Sequence, residues 1–352
     1  MRGFGRFVFG GGLAAAGCLA ALTGPPSGTA PASAAYAIPL AARAVTTSHP
    51  DHVIGHGTPA SCTSAAVVKA VAEGGVITFS CGSRPVTITM NATAKVVNTS
   101  HEIVLDGGGK VTLNGAGRTR ILYMNTCDPK QKITTADCWE QQWPRLVVQN
   151  ITFENAYSGV RETSTSNYGG GAIFDQGGQL KVVHATFTGN RCYSAGPDLG
   201  GGAIRAYGMY LATPIYITDD TFTGNSCANG AALSGLYANF YVIDSVLTGN
   251  KAVGWGANPA SPGTPGGGSG GAIYTDGDHY NLTIDGTVIS GNSAREGGGA
   301  NFFVVNAGGG TLLIEHSTLR RNPSGEFQNA PGIFDSVDGH DTPPTVIASS
   351  VS

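Results

Sequence analysis

The run Asp276-Gly277-Asp278-His279-Tyr280 places carboxyls, an imidazole and a phenol within a few residues of one another. Further upstream, Arg205 and Tyr207 sit on a short strand-like stretch. An arginine beside a substrate carboxylate, with a His or Tyr as proton acceptor, suits β-elimination from a uronic acid sugar. In that reading Arg205, Asp276 and His279 carry the chemistry. Phe174, Asp175, Tyr207, Tyr274 and Asp278 are expected to contact the substrate, because sugar rings stack on aromatic faces while charged groups orient hydroxyls. A plainer reading runs beside it. The Asp276–Tyr280 run is also what a polar turn between strands looks like, and the aromatics could form a stripe that packs under loops.

These residues come together only if the chain brings distant strands into line, and two recurring signatures say how. The first is glycine-rich: Gly169-Gly170-Gly171-Ala172-Ile173-Phe174 returns as Gly200-Gly201-Gly202-Ala203-Ile204-Arg205, Asn229 to Ser234, Gly270 to Tyr274 and Gly297 to Phe302, with an echo at Gly332 to Asp335. The second ends in asparagine: Thr186-Phe187-Thr188-Gly189-Asn190 returns at Thr221 to Asn225, Val246 to Asn250, Val288 to Asn292 and Thr318 to Asn322. Ahead of the second lies an alternating pair, Leu146-x-Val148, Leu180-x-Val182, Ile215-x-Ile217, Phe240-x-Val242, Leu282-x-Ile284 and Leu312-x-Ile314.

Short repeated units that cannot bury a core alone must stack on their neighbours. Three short strands per unit, with apolar residues alternating inward, predict an all-β, right-handed parallel β-helix of about eight to ten coils. The recurring asparagines predict an internal ladder of side-chain amides at one corner. The position just after the first strand, filled by Asn150, His184, Asp219, Asp244, Gly286 and His316, reads as a turn, which Asn, Asp and Gly favour. Lined up in this register, one outward column of the glycine-signature strand reads Phe174, Arg205, Ser234, Tyr274, Phe302 and Phe334. Two residues on stand Gln176, Tyr207, Leu236, Asp276, Val304 and Ser336. Surplus residues leave as loops at 156–168, 191–199 and 251–269.

The paired signatures, Phe187 to Asn190 and Gly170 to Ile173, resemble the repeat of the chlamydial polymorphic outer membrane proteins. The opening coils, with Val104-Leu105-Asp106-Gly107-Gly108-Gly109 and Thr112-Leu113-Asn114-Gly115, resemble the pectate-lyase-like superfamily of right-handed β-helices. Together the resemblances span residues 60 to 350. They imply a solenoid that hosts lyases, hydrolases and catalytically silent adhesins alike. Calcium is the cofactor the lyase resemblance implies, held by carboxylates on adjacent coils. No two successive coils place acids in the outward columns, so no metal ligands are assigned. Polygalacturonase-like hydrolases call for clustered aspartates followed by Gly-His-Gly; here Gly55-His56-Gly57 precedes Asp219-Asp220, the reverse order.

Residues 1–34 read as a secretory signal peptide: Arg2 and Arg6, an apolar run from Phe7 to Leu22, and Ala32-Ser33-Ala34 as the cleavage site. A lipid anchor at Cys18 is the weaker alternative, since Ala15 stands where a lipobox places a larger aliphatic residue. No other stretch is apolar for the ~20 residues of a membrane span. Loss of Arg2 and Arg6 takes the net charge from −3 to −5, which leaves no basic footprint for nucleic acid.

The remaining cysteines are even in number, as an exported disulfide framework requires. Cys192 and Cys227 each stand two residues past a ladder asparagine, and stacked coils ~4.8 Å apart suit a bridge between them. Cys62 with Cys81 and Cys127 with Cys138 follow by proximity. Residues 35–58 read as a flexible lead-in, followed by a β-helix domain over 59–352: a cap at 59–81, irregular coils at 82–145, regular coils at 146–322 and a closing coil at 323–352. Within the cap, a helix from Ser61 as N-cap to Glu73 stops at Gly74-Gly75. The expected protein is a secreted monomer that acts on or binds extracellular polysaccharide or a cell-surface glycan. Its two candidate forms are a polysaccharide lyase and a non-catalytic adhesin-like module.

Overall fold

The computed structural model describes residues 38–159, 168–209, 213–256 and 263–352. The signal peptide, Cys18 and the middle of the 156–168 loop lie outside the described residues. Among those described, the strands build sheets of 17, 9 and 5 members. The pairings between strands are parallel, apart from His340–Asp341, which folds back antiparallel on Ile333–Val337. The architecture is a parallel β solenoid with one α-helix among the described residues. The 9-membered sheet without that hairpin strand counts eight stacked levels.

Alternation sets the interior. Ile215, Phe240, Leu282 and Leu312 stand in one register column, and each is at most 2% exposed. Phe153, Phe187 and Phe222 form another, their rings stacked with centroids 5.0 and 4.7 Å apart. Each fully buried side chain of this size contributes about 1.5–3 kcal/mol, so the columns supply most of the cohesion between coils.

At the corner after the first strand the backbone enters the left-handed region in coil after coil: Asn150 at φ 51°, His184 at 53°, Asp219 at 55°, Asp244 at 48° and His316 at 47°. Asn and Asp tolerate this region better than most residues because the short side chain bonds local backbone. The turn reading of this column therefore stands. Glycine is required at the corner that opens the glycine-signature strand. At Gly170, φ is 59°, and an added Cβ would run into the carbonyl of Ile173.

The asparagine ladder forms as the spacing predicts. Asn190, Asn225, Asn250 and Asn292 each donate Nδ2–H to Oδ1 of the next asparagine at 2.8–3.0 Å. Each also donates its backbone N–H to that same Oδ1 at 2.9–3.0 Å. The second Nδ2–H reaches back to a carbonyl of the preceding coil: Asn190 to Phe153, Asn225 to Phe187, Asn250 to Phe222 and Asn292 to Leu247. These four residues are 0% exposed, so every polar atom of the amide is satisfied inside the protein.

A second ladder runs beside the turn column. Backbone N–H groups of Asp220, Ser245, Thr287 and Ser317 donate to the hydroxyls of Ser245, Thr287, Ser317 and Ser349 in the next coil, at 2.9–3.1 Å. Each hydroxyl donates in turn to the carbonyl two residues before it. Asp220 takes the hydroxyl's place one coil earlier, accepting from Ala185 N at 2.6 Å. Burial pushes its carboxyl well above the usual range.

The start of the fold differs from expectation at two points. The helix α1 spans Ser64–Glu73 with Thr63 as N-cap, not Ser61. Residues Pro59–Ser61 form a separate 3-10 turn, which moves the buried face to Val67, Ala70 and Val71. Residues 38–58, read as a flexible lead-in, are laid against the coils. His52–Ile54 pairs with Ile77–Phe79. Gln149 exchanges hydrogen bonds with both backbone groups of Val45 at 2.9 and 3.0 Å, and Lys181 donates to Arg43 O at 2.8 Å. Thr47 donates to Asp106 at 2.8 Å. Burial raises the Asp106 carboxyl, but hydrogen bonds from Gln149, Gly108, Asn150 and Thr47 outweigh it and hold the group below its ordinary value. An Ala/Thr-rich stretch has no apolar period to reveal this docking, since polar side chains of the coils hold it.

All three expected disulfides form: Cys62–Cys81, Cys127–Cys138 and Cys192–Cys227, with Cα separations of 5.7, 5.0 and 4.7 Å. The last spans one coil spacing.

Two outcomes follow for stability. Asn225→Ala removes the Oδ1 that accepts both the Nδ2–H and the backbone N–H of Asn190, and takes one donor each from Phe187 O and Asn250 Oδ1; at about 1–3 kcal/mol per stranded buried group, a loss above about 2 kcal/mol is expected in urea unfolding. The pH dependence follows from Asp335, which is 2% exposed and which burial pushes from 3.8 to about 7. A carboxyl whose folded pKa is raised favours the fold while protonated, so its contribution is lost as pH rises from about 4 through about 7. Urea midpoints should therefore fall from about pH 5 to about pH 8 more steeply in the wild type than in Asp335→Asn.

Candidate functional site

The outward columns align as the spacing predicts. Tyr123, Phe174, Arg205, Ser234, Tyr274, Phe302 and Phe334 are in register. Rings stack where coils carry them in succession: Tyr123 on Phe174 at 5.4 Å, Tyr274 on Phe302 at 5.3 Å and Phe302 on Phe334 at 5.1 Å.

This column is covered. Phe174 and Tyr274 are 0% exposed and Arg205 is 1% exposed. The Arg205 guanidinium donates to Ser234 Oγ at 2.5 Å and lies 5.7 Å from the ring of Tyr168, which belongs to an overlying loop. Arg120 plays the same part at the other end, over Tyr123 and Phe174 at 5.5 and 5.2 Å. Phe174, Tyr274 and Arg205 thus form a packed layer between sheet and loops, with no face open to a ligand.

Asp175 is placed on the opposite side of the strand from Phe174, in register with Met124 and Ala206. It is 0% exposed, and burial pushes its carboxyl well above the ordinary value. Expected as a substrate contact, it lies inside the solenoid, because adjacent residues of a strand point to opposite faces.

Asp276 stands at the rim of the covered layer, 9% exposed. Its Oδ2 accepts from Tyr274 Oη at 3.0 Å, and its Oδ1 accepts from Gly277 N at 2.7 Å and Asn306 Nδ2 at 2.8 Å. These bonds shape the turn that follows. His279 sits in that turn at φ 51°, with Nδ1 2.7 Å from Gly308 O. A carbonyl oxygen only accepts, so Nδ1 carries the proton and Nε2 is the nitrogen left to face solvent. Tyr280 is buried, donating to Val304 O at 2.7 Å.

Where the second column emerges from the loops, a cleft of about 340 Å³ opens between Trp139, Glu140, Tyr207, Tyr237, Asp278 and His279. Trp139 meets Tyr207 edge-on at 4.7 Å, and Tyr237 lies 6.3 Å from Tyr207. Tyr237 is 44% exposed and held at φ 52°, a conformation that bulky residues adopt only when the surroundings impose it. Trp139 directly follows the loop that the Cys127–Cys138 disulfide closes, and its ring fills the space where a Cβ on Gly208 would stand.

Three of the sequence-predicted residues, Tyr207, Asp278 and His279, therefore share one opening. Arg205, Phe174 and Tyr274 lie beneath the loops, Asp175 lies in the core and Asp276 lies behind the rim. Sequence reasoning missed Trp139, Glu140 and Tyr237. The disulfide was the available signal, since it pins the two-tryptophan excursion to the coil from which it leaves.

A larger hollow, about 720 Å³, lies at the last coil by Arg321, Asn322, Gln328 and Asn329. It has no aromatic ring and no acid. Among the described residues, no group of three or more His, Cys, Asp or Glu could hold a metal ion.

The fold and cleft define a parallel β-helix protein with an aromatic, acid-lined opening at the edge of one sheet. No family model, curated protein or solved structure matches the chain.

Gly208→Ala should empty one wall of the cleft. The new Cβ would collide with the Trp139 ring, and φ 54° disfavours alanine. Tryptophan emission of this variant should shift toward that of solvent-exposed indole. The shift should be absent when the same change is made in a Trp139→Phe background.

Proposed function

We propose that the chain is a secreted glycan-binding module, adhesin-like and without catalytic activity, whose ligand lies in the cleft between Trp139, Tyr207 and Tyr237. The observation that carries this reading is the cleft itself: aromatic rings exposed at a sheet edge, ringed by the acceptors Glu140, Asp278 and Nε2 of His279. Sugars present apolar ring faces bordered by hydroxyl donors, and such an arrangement complements both. Two further points agree. The opening coils resemble the pectate-lyase-like superfamily and the repeats resemble the chlamydial outer membrane repeat. Export fits the three disulfides and the apolar leader; no helix among the described residues is long and apolar enough to cross a membrane.

A lyase needs a cation against the uronate and a base at the hydrogen to be removed. Arg205, the cation that the sequence offers for this, is 1% exposed and engaged by Ser234. Binding is therefore the better supported of the two forms.

The test is a panel of soluble polysaccharides and oligosaccharides titrated into the protein, followed by calorimetry. Trp139→Ala and Tyr237→Ala should each weaken the best ligand about thirtyfold or more, as removal of a central aromatic anchor does. Retention of full affinity in both variants would refute the site. Appearance of unsaturated uronate absorbance on incubation with an acidic polysaccharide, lost in Arg205→Ala, would replace the binding module with a lyase.

A further inference from the structure

The charges about the cleft narrow the class of saccharide. Glu140 and Asp278 stand on its walls, Asp276 lies just behind the rim, and Asp198 is close enough to raise the hydroxyl of Tyr237 together with them. That hydroxyl is pushed up first by burial, then by Asp278, Asp276 and Asp198, while on Tyr207 of the same cleft Arg205 acts in the opposite sense. Arg205 offsets Asp198 but lies beside the ring of Tyr168 and is 1% exposed. Among the described residues lining the opening there is no lysine or arginine.

A uronate carboxylate entering here would approach Glu140 and Asp278 with no accessible cation to meet it. An ammonium group would meet the same two carboxylates as partners and would gain further from the faces of Trp139 and Tyr237, since aromatic faces attract cations. Neutral hydroxyls gain the stacking and the hydrogen bonds alone. We infer that the cleft selects a saccharide bearing protonated amines, an oligomer of 2-amino-2-deoxyhexose, over neutral and uronic acid saccharides. This inference rests on the glycan-binding reading above and adds the ligand's charge to it.

The experiment compares a glucosamine hexamer, an N-acetylglucosamine hexamer and a galacturonate hexamer by calorimetry, near neutral pH and at low salt. Two partly exposed charge contacts are expected to favour the glucosamine hexamer about tenfold over the acetylated one, with the galacturonate hexamer weakest. High salt should erase the difference, because exposed charge pairs are screened. In the double variant Glu140→Gln, Asp278→Asn, the ratio between the amine and acetylated hexamers should fall to about one. Galacturonate bound as tightly as glucosamine would overturn the inference, as would an amine preference that survives the double variant. Acetylated hexamer bound in a Trp139-dependent way with no amine preference would end this inference and leave the glycan reading standing. Binding of none of the three would end this inference, and calorimetry against the wider panel would then decide the glycan reading.

Discussion

The solenoid depends on a line of buried amides. An asparagine with no access to water must find partners for every donor and acceptor it carries, or lose about 1–3 kcal/mol for each one stranded. Asn190, Asn225, Asn250 and Asn292 meet that demand only if the next coil presents its own asparagine at the same height and corner. The requirement propagates. A coil displaced by one residue would break the ladder and would also turn its apolar side chains to the wrong face. Variation in coil length is therefore confined to the segments between the glycine signatures and the corners, where loops can leave without disturbing the ladder. The register seen in the phenylalanine column and the hydroxyl ladder is the same constraint read at other positions round the coil.

Loops that leave in this way have to land somewhere, and they land on the outward face of the glycine-signature sheet. That face is apolar and aromatic, with Phe174, Tyr274 and Phe302 at most 3% exposed. Covering it buries area that a bare sheet would leave in water. Arg205 and Arg120 are tolerated there because each lies over an aromatic ring and donates to fixed oxygens. The cleft is the place where this cover ends. Tyr207 is the last residue of its strand, Tyr237 follows the end of the next one, and Trp139 comes directly after the Cys127–Cys138 loop, so the opening is assembled where two departures from the regular coil meet a strand end.

The acids show how strongly position decides chemistry in such a fold. Asp106 accepts four hydrogen bonds and stays ionised below the ordinary carboxylate range. Asp220 occupies a slot filled by Ser and Thr hydroxyls in later coils, and burial pushes its carboxyl well above the ordinary range. Asp175 lies wholly inside the coil, its carboxyl pushed up for the same reason. Asp276 and Asp278 are two residues apart, yet one is tied into the frame of a turn and the other lines the opening.

The amino-acid sequence by itself determined the repeating unit, the inward columns, the asparagine ladder, the left-handed corner and the disulfide pairs. The repeating features are local patterns that return at the same place in successive coils, so stacking has one way to satisfy them, and the cysteines follow from that register or from closeness in the chain. The outward columns were legible for the same reason: Arg205 lines up with Phe174 and Ser234 as the signatures dictate. What the sequence left open was everything carried by non-repeating segments. The lead-in docks through polar contacts such as Gln149 with Val45, which have no period to betray them. The hydroxyl ladder was hidden because Asp, Ser and Thr share a role there that residue type alone does not announce. Only the tertiary structure decided that the loops close over Arg205 while Trp139 and Tyr237 stop short of Asp278 and His279, because where a loop lands depends on what apolar surface lies beside it and not on its own sequence.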